Sequence, residues 1–227
     1  ALVQLRCRER HYKKLAGVRS DGEIRLYVEG KRAASDVGEL QLTDYGISGI
    51  PTFQVSRYAS AALHRKQKVT AVINFLPSMS RAESWEMMEK RLDLLKERNC
   101  RQFMNGLLNS KLSGVLLELA EIPEKQPVKS ITESQKKRLF QMITNYETQI
   151  TASNPYENAQ VCCGGVDVKQ VNKETLESKL VKGLYFCGEI LDVDGICGGY
   201  NLQWAWSSGF VAGRQAAGGD EFSGALY

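Results

Sequence analysis

Near the end of the chain, a glycine-rich turn runs directly into a helix, and this feature limits the possible folds more than any other. Asp194–Gly199 contains three glycines, and the helix is predicted to begin at Tyr200. One face of that helix is a stripe of small residues at helical spacing: Ala205, Ser208, Gly209, Ala212, Gly213 and Ala216. Because a glycine inside a helix costs about 1 kcal/mol relative to alanine, the stripe indicates close contact with another backbone or a flat ligand. Tight packing on a sheet would explain the stripe as well as a ligand site does.

An apolar segment and a Gly-Glu pair precede this turn. Gly183 leads into Leu184–Cys187, which we predict to be a strand, and Gly188 and Glu189 follow where that strand ends. Free amide groups at a helix N-terminus attract an anion or a carbonyl oxygen. A carboxylate at the end of a strand can accept a hydrogen bond from a hydroxyl group. Together, the two features favour a ligand site over packing alone.

The first part of the chain predicts antiparallel strands around one helix. Glu23–Glu29 and Asp36–Thr43 alternate apolar and polar residues, and Val69–Leu76 adds a third strand. Asp44–Pro51 is predicted to be a glycine-containing loop. Pro51 can occupy the first turn of a helix that continues to Leu63. We therefore expect a small sheet or barrel that carries a helix.

The middle of the chain is predicted to be helical. Ser80 with Glu83, and Thr132 with Gln135, match the capping-box pattern that opens a helix. A shorter apolar helix is predicted over Ser113–Glu121. The apolar positions of these helices need no cofactor to explain them.

Charge and hydropathy argue against two classes of protein. The net charge is +4, with the positive excess in residues 1–150 and a negative excess after them, which favours a boundary near residue 150. Basic residues alternate with acids along Arg81–Arg98, as on a solvated helix face, so we expect no nucleic-acid binding. The longest apolar run, Ser113–Ala120, is too short to cross a membrane, and no basic-then-apolar leader opens the chain. We expect a cytoplasmic protein without a membrane partner.

The cysteines and histidines suggest no metal site. The six cysteines have neither the spacing of a zinc site nor that of a disulfide framework. We therefore expect no structural disulfide, and we predict that Cys162 and Cys163 are partly buried strand residues. His11 and His64 are isolated among basic residues and are predicted to lie at the surface.

Several segments together resemble one known family. The C-terminal run resembles the signature of the BaiN-like (YhiN-type) NAD(P)/FAD-dependent oxidoreductases, which here comprises Gly183–Glu189, Leu191–Gly195 and Gly198–Gly209. Gly164–Val166, with Glu177–Lys179, resembles the preceding segment of that family. Thr43–Pro51, with Ser56, resembles a motif of its insert domain. The resemblance covers essentially the whole chain and is strongest from Gly164 to Gly213.

The resemblance implies an α+β fold with two parts. Residues 1–153 would be the flavoprotein insert domain, a small antiparallel β-barrel (1–76 and 146–153) with a helical insertion (80–145). Residues 154–227 would be the C-terminal part of an α/β FAD-binding domain.

The same resemblance implies a function. FAD would be the cofactor, and hydride would pass between FAD and either NAD(P)H or a small-molecule substrate whose identity the sequence does not reveal. The implied cofactor-binding residues are Gly164, Gly165, Val166, Gly188, Glu189, Gly198, Gly199, Tyr200, Asn201, Leu202 and Gln203.

The family also implies roles for two parts of this site. Gly188 and Glu189 would contact the ribityl chain, and Gly199–Leu202 would face the pyrimidine edge, where a reduced flavin develops negative charge. Asp192 and Asp194, with Tyr200, would lie near the flavin ring, but no catalytic acid or base is assigned.

One family motif is missing from these 227 residues. A G-x-G-x-x-G fingerprint cradles the pyrophosphate of a bound dinucleotide, yet no two glycines here are separated by a single residue. We therefore expect a C-terminal fragment of a bacterial flavoprotein that needs the N-terminal FAD-binding segment of the same polypeptide. Alone, it is expected to be inactive and to bind no FAD. Two alternatives stay open: a non-catalytic binding or assembly module that keeps the fold, and an unrelated α+β protein.

Overall fold

Alternating apolar and polar residues build the first part of the chain into a closed barrel. The computed structural model describes residues 1–218, so residues 219–227 of the predicted C-terminal segment lie outside the described residues. The strands are β1 (Leu5–Cys7), β2 (Val18–Val28), β3 (Lys31–Leu42), β4 (Gly46–Gly49), β5 (Val69–Asn74) and β6 (Tyr146–Ser153). They pair antiparallel in the closed order β1-β4-β3-β2-β5-β6. The predicted α+β class with an antiparallel barrel is confirmed.

The longest hairpin, β2–β3, agrees with the sequence pattern but extends beyond it. Its register runs from Val18 opposite Leu42 to Val28 opposite Lys31. The turn uses Glu29 and Gly30, both with positive φ, as tight hairpin turns require. Ile24, Leu26 and Leu40 are fully buried, so the alternation places the apolar face of the hairpin in the core.

The predicted loop at Asp44–Pro51 instead contains a strand. β4 lies between β1 and β3, with Ile47 opposite both Leu5 and Leu42. A Cβ atom at Gly49 would lie 2.4 Å from the Glu39 carbonyl oxygen. The glycine therefore allows the close approach of two strands and does not form a turn. The prediction of a loop at Asp44–Pro51 is wrong for this reason.

Helix α2 (Ile50–His64) follows β4 directly and packs against the barrel. As predicted, Pro51 lies in its first turn. Its buried residues include Val55, Ala59 and Ala62.

The remaining helices of this part lie between β5 and β6. They are α3 (Arg81–Leu94), α4 (Cys100–Met104), α5 (Ser110–Leu119) and α6 (Glu133–Thr144); a single-turn helix, α1 (Tyr12–Leu15), follows β1. Both predicted capping boxes are present, at Ser80 and at Thr132. A third opens α4 at Asn99, which the sequence pattern had not indicated. Within residues 1–218, no helix combines the length and apolarity needed to cross a membrane.

The described chain separates into two compact units. The first is Leu2–Asn158, which holds the barrel and the helices α1 to α6. The second begins at Ala159 and also includes Ala1. It contains short 3₁₀ turns and the helix α7 (Tyr200–Ala216). The domain boundary at 153/154 stays a prediction.

A cluster of polar side chains is buried at one end of the barrel, beside α1. The His11 Nε2 atom is hydrogen-bonded to the Tyr146 hydroxyl, and the Thr148 hydroxyl donates to Glu9. Burial lowers the pKa of His11 and raises the pKa of the Cys7 thiol to about 11. The prediction that His11 lies at the surface is wrong, because the aromatic partner that half-buries it is 135 residues away in sequence. His64 is exposed, as predicted.

Two tyrosines in this cluster are expected to respond differently to loss of their hydroxyl groups. The Tyr12 hydroxyl is fully buried and interacts with Cys7 and Thr148 without a hydrogen bond of normal geometry, whereas Tyr146 is bonded to His11. Tyr12→Phe should change the free energy of unfolding by less than about 1 kcal/mol, since it removes these weak interactions together with the cost of burying the hydroxyl group. Tyr146→Phe should lower it by about 1–2 kcal/mol, since it leaves a histidine nitrogen unpaired. Urea unfolding measures both changes, and equal losses in the two variants would contradict the assignment.

Candidate functional site

The predicted site lies in the second compact unit, where two separate segments meet. Val166 and Leu191 form a parallel bridge, with Val166 N donating to Ile190 O at 2.8 Å and Asp192 N donating to Val166 O at 3.1 Å. A Cβ atom at Gly165 would lie 2.4 Å from Ile190 O. The glycine is therefore required for the two segments to approach this closely.

Two carboxylates hold the segment that precedes this bridge. Glu189 Oε1 accepts a hydrogen bond from the Cys162 amide, and Asp192 Oδ1 accepts one from the Gly164 amide at 3.1 Å. Glu189 is exposed. One of its oxygens thus positions a loop, and the other faces no hydrogen-bond donor among the described residues.

Helix α7 contacts the Gly-Glu pair through its second and third turns. The Ser208 hydroxyl accepts a hydrogen bond from Gly188 N at 2.8 Å, and Trp204 Nε1 donates to Gly188 O at 3.1 Å. The Ala205 methyl group lies 3.9 Å from where a Gly188 side chain would begin. One part of the small-residue stripe therefore packs against the backbone of the candidate site. The indole contact from Trp204 was not predictable from the sequence pattern.

The glycine-rich turn folds back on the first turn of α7. Asn201 clamps it with two hydrogen bonds: its Oδ1 accepts from Gly195 N at 2.7 Å, and its Nδ2 donates to Gly195 O at 3.0 Å. Gly199 precedes the helix in a left-handed conformation with φ 94° and has no side chain with which to cap it. The first backbone N–H groups of α7 lie at the positive end of the helix dipole.

The predicted site residues form two groups. Gly164, Gly165 and Val166 lie beside Glu189, while Gly198–Gln203 form the turn and first residues of α7. Gly188 joins the groups, since it adjoins Glu189 and contacts α7. Val166, Gly188 and Asn201 are half-buried, and the other predicted site residues are exposed. Among the described residues, the predicted site is therefore a mostly exposed surface.

Two predictions about this unit are wrong. Leu184–Cys187 is not a strand: Ser178 N donates to Leu184 O and Phe186 N to Leu176 O, so it pairs on one side only, through a single bridge at Tyr185. A β-strand needs several successive paired residues on a neighbouring strand, and this segment has only one. Cys162 and Cys163 are also not strand residues; Cys162 is half-buried as predicted, but Cys163 is exposed. Gly188 and Glu189 lie in a 3₁₀ turn, Gly188–Ile190.

One group of side chains has the residue types of a metal site. Ligand-type atoms of Cys163, Asp192 and Asp194 lie within 4.8 Å of one another. Asp192 already accepts the hydrogen bond from Gly164, and exposed acidic groups are common without a metal. The expectation of no metal site stays a prediction.

An apolar face of α7 is exposed next to the site. Leu202, Trp206 and Phe210 repeat every fourth residue and are 61%, 67% and 61% exposed. In a soluble protein, such a contiguous face indicates a surface that another segment or protein covers.

Comparison with known proteins identifies the family. The pattern of the HI0933-like protein Rossmann domain matches residues 33–215, well over half of the chain. The chain is 41% identical to a 3-dehydro-bile acid delta(4,6)-reductase of Clostridium scindens, over 96% of this chain and 53% of that protein.

Two other relatives are named for a different activity. The chain is 33% identical to a ribosomal RNA dihydrouridine synthase of Haemophilus influenzae, over 76% of this chain and 41% of that protein. It is 31% identical to the ribosomal RNA dihydrouridine synthase of Escherichia coli, over 77% of this chain and 41% of that protein. The chain thus spans about half the length of the curated relatives that it matches. The family predicted from the sequence is confirmed: the chain belongs to the HI0933-like family of BaiN-type oxidoreductases.

Proposed function

We propose that the complete protein is an FAD-dependent oxidoreductase and that the C-terminal unit supplies part of its flavin site. The observation that carries this proposal is the contact of the Gly188–Glu189 turn with α7, a helix that begins directly after the glycine-rich turn. A non-catalytic binding or assembly module remains the alternative, and loss of redox activity with retained folding would favour it.

The residues of this surface fit a flavin. The exposed N–H groups of Gly199–Leu202 suit the carbonyl oxygens of the pyrimidine edge, and Glu189 has one carboxylate oxygen available to a ribityl hydroxyl. Gly164–Val166 present backbone beside that carboxylate. When bound, FAD would supply the hydride chemistry, with NAD(P)H as the hydride donor.

The contribution of the protein would then be electrostatic and positional. The positive end of the α7 dipole favours negative charge at the edge of a ring placed there. Cys162 N fixes the Glu189 carboxylate, and Asn201 fixes the glycine-rich turn, so neither would need to reorganise when a ligand binds.

We assign residues 154–227 to the C-terminal part of an FAD-binding domain and residues 1–153 to an insert domain. The exposed face of Leu202, Trp206 and Phe210 supports this assignment, because an incomplete domain leaves apolar surface uncovered. We propose that this face is covered by an N-terminal FAD-binding segment of the same polypeptide, which would account for the greater length of the relatives. A bacterial source and a cytoplasmic location remain predictions.

The proposed substrate is a small molecule with a reducible double bond, of a steroid-like kind. The higher identity to the bile acid reductase, over nearly the whole chain, supports it. Ribosomal RNA is the second candidate, from the dihydrouridine synthases. Anaerobic reduction of the flavin by NADH or NADPH, followed by reoxidation with an unsaturated 3-keto steroid, whose carbon–carbon double bond is conjugated to the ketone, or with unmodified ribosomal RNA, tests the function and distinguishes the substrates.

Replacement of Glu189 should weaken flavin binding in the complete protein. Glu189→Ala removes a charge-assisted hydrogen bond worth about 1.5–3 kcal/mol, which corresponds to a rise in the Kd for FAD of about 10- to 100-fold. Fluorescence titration of the apoprotein with FAD measures this change. Glu174→Ala, an exposed glutamate of the same unit, is the matched control and should leave the Kd unchanged. If Glu189→Ala lowers only the stability, the carboxylate serves solely to hold Cys162.

A further inference from the structure

A second polar pocket lies in the barrel unit, outside the candidate flavin site. It has a volume of about 290 Å³ and opens between β2, the end of β5, the start of α3 and the end of α6. The residues that matter for its chemistry are Glu23, Arg25, Ser80, Arg81, Ser84 and Asn145. Its lining has two guanidinium groups and one carboxylate, so it carries an excess of positive charge.

One buried hydroxyl group in this pocket has no partner. The Ser84 hydroxyl makes no hydrogen bond, although the residue is only 1% exposed. Arg25 Nε forms an ion pair with the Glu23 carboxylate, at an Nε–Oε2 distance of 3.6 Å that is too long for a hydrogen bond. Because buried polar groups of native proteins nearly always have partners, the Ser84 hydroxyl indicates a ligand in this pocket.

The Arg25 side chain is held in place for such a ligand. Its Nη2 atom donates to Asn145 Oδ1 at 2.8 Å and to the Thr144 carbonyl oxygen at 3.3 Å. The guanidinium plane is thereby fixed at the end of α6, and its Nε atom is paired with the Glu23 carboxylate.

The N-terminus of α3 borders the same pocket, with the Glu83 carboxylate accepting a hydrogen bond from the Ser80 amide. The helix has 14 residues, and its capping box uses the Ser80 and Glu83 amides. The amides of the first two helical residues, Arg81 and Ala82, keep no intrahelical acceptor, as in every α-helix. Ser84 lies one turn further along, on the side of the helix that lines the pocket.

We propose that this pocket binds the terminal phosphate of a small phosphate monoester. The donors come from two elements, namely Arg25 on the barrel, and Ser84 with the first backbone amides of α3. A monoester offers three oxygens to such an arrangement, whereas a backbone diester offers two and carries a chain on both sides. The proposal is independent of the flavin assignment, since the pocket is formed wholly by the barrel unit.

Calorimetric titration with inorganic phosphate, at constant ionic strength, tests the site. We expect saturable binding with a Kd on the order of 1 mM or below, and a loss of at least about tenfold in both Ser84→Ala and Arg25→Gln. Ser60→Ala is the matched control, because the Ser60 hydroxyl is likewise buried without a partner but lies in α2, away from this pocket. It should leave the Kd unchanged. No saturable binding, or equal binding by all four proteins, would overturn the proposal.

Thermal unfolding distinguishes a ligand site from a mere packing defect. Ten times the Kd of phosphate should raise the Tm of the wild type and of Ser60→Ala by about 3–5 °C, and that of Ser84→Ala much less. If the orphan hydroxyl is only a defect, Ser84→Ala will be more stable by the same margin with and without phosphate, which contradicts the proposal. Ethyl phosphate should compete with inorganic phosphate and dimethyl phosphate should not; equal competition would overturn the assignment to a monoester.

Discussion

Gly49→Ala is expected to lower the free energy of unfolding of the barrel unit by roughly 3–5 kcal/mol. Gly49 has φ 96°, which strains any other residue, and the added methyl group would lie 2.4 Å from Glu39 O and 3.1 Å from Gln41 N. Both atoms belong to the backbone of β3, so the clash cannot be relieved by a side-chain rotation. Since domains are stable by only about 5–15 kcal/mol, much of the molecule should be unfolded at moderate temperature.

Gly30→Ala is the matched control for this prediction. Gly30 also has a positive φ, 76°, but a Cβ atom there would meet nothing within 4 Å. Gly30→Ala should lower the free energy of unfolding by only about 1–2 kcal/mol, because only the backbone conformation is strained. Chemical denaturation monitored by circular dichroism measures both variants. Similar losses of stability in Gly49→Ala and Gly30→Ala would show that the close approach of β4 to β3 does not depend on glycine.

The 227-residue chain, purified alone, is expected to retain far less than one equivalent of FAD. It offers contacts to the ribityl chain and the ring, but it contains no G-x-G-x-x-G motif to hold the pyrophosphate on a helix N-terminus. The exposed Leu202, Trp206 and Phe210 face would also lack its cover. Flavin absorbance after gel filtration measures the retained fraction.

A polypeptide with the full length of the relatives, purified in the same way, provides the comparison. It should carry close to one equivalent of flavin. A yellow 227-residue preparation with one equivalent that survives gel filtration would show that the contacts of this chain suffice. Absence of flavin from both proteins would instead favour the non-catalytic alternative.

Local sequence patterns predicted the elements that depend on local interactions. The capping boxes at Ser80 and Thr132 involve side chains three residues from the amides that they satisfy, and the β2–β3 hairpin closes over a two-residue turn. By contrast, β4 was interpreted as a loop because its glycines resemble turn residues. Their role follows from contacts with β1 and β3 that no short window of sequence contains.

The candidate site was predictable in its residues but only partly in its geometry. The clamp between Asn201 and Gly195 and the bridge between Val166 and Leu191 join residues that the family resemblance had already singled out. The hydrogen bond that the Cys162 amide donates to Glu189 could not be predicted, because the two residues are 27 positions apart in the sequence and meet only when the loop folds back. Likewise, the sequence does not predict that the Ser84 hydroxyl is buried without a hydrogen-bond partner, because Ser84 is one of several serines in helices.

The position of the helices between β5 and β6 has a consequence for the order of folding. The β5–β6 ladder joins Val69 to Ile150, and the β1–β6 ladder joins Leu5 to Ser153, so the two seams that close the barrel link residues far apart in sequence. The β2–β3 hairpin and the capped helices need only short-range contacts and can form early. Because closing a long loop costs entropy before its contacts form, barrel closure should be the slow, late step of refolding. The strand β6 would then remain the last edge open to pairing with another chain.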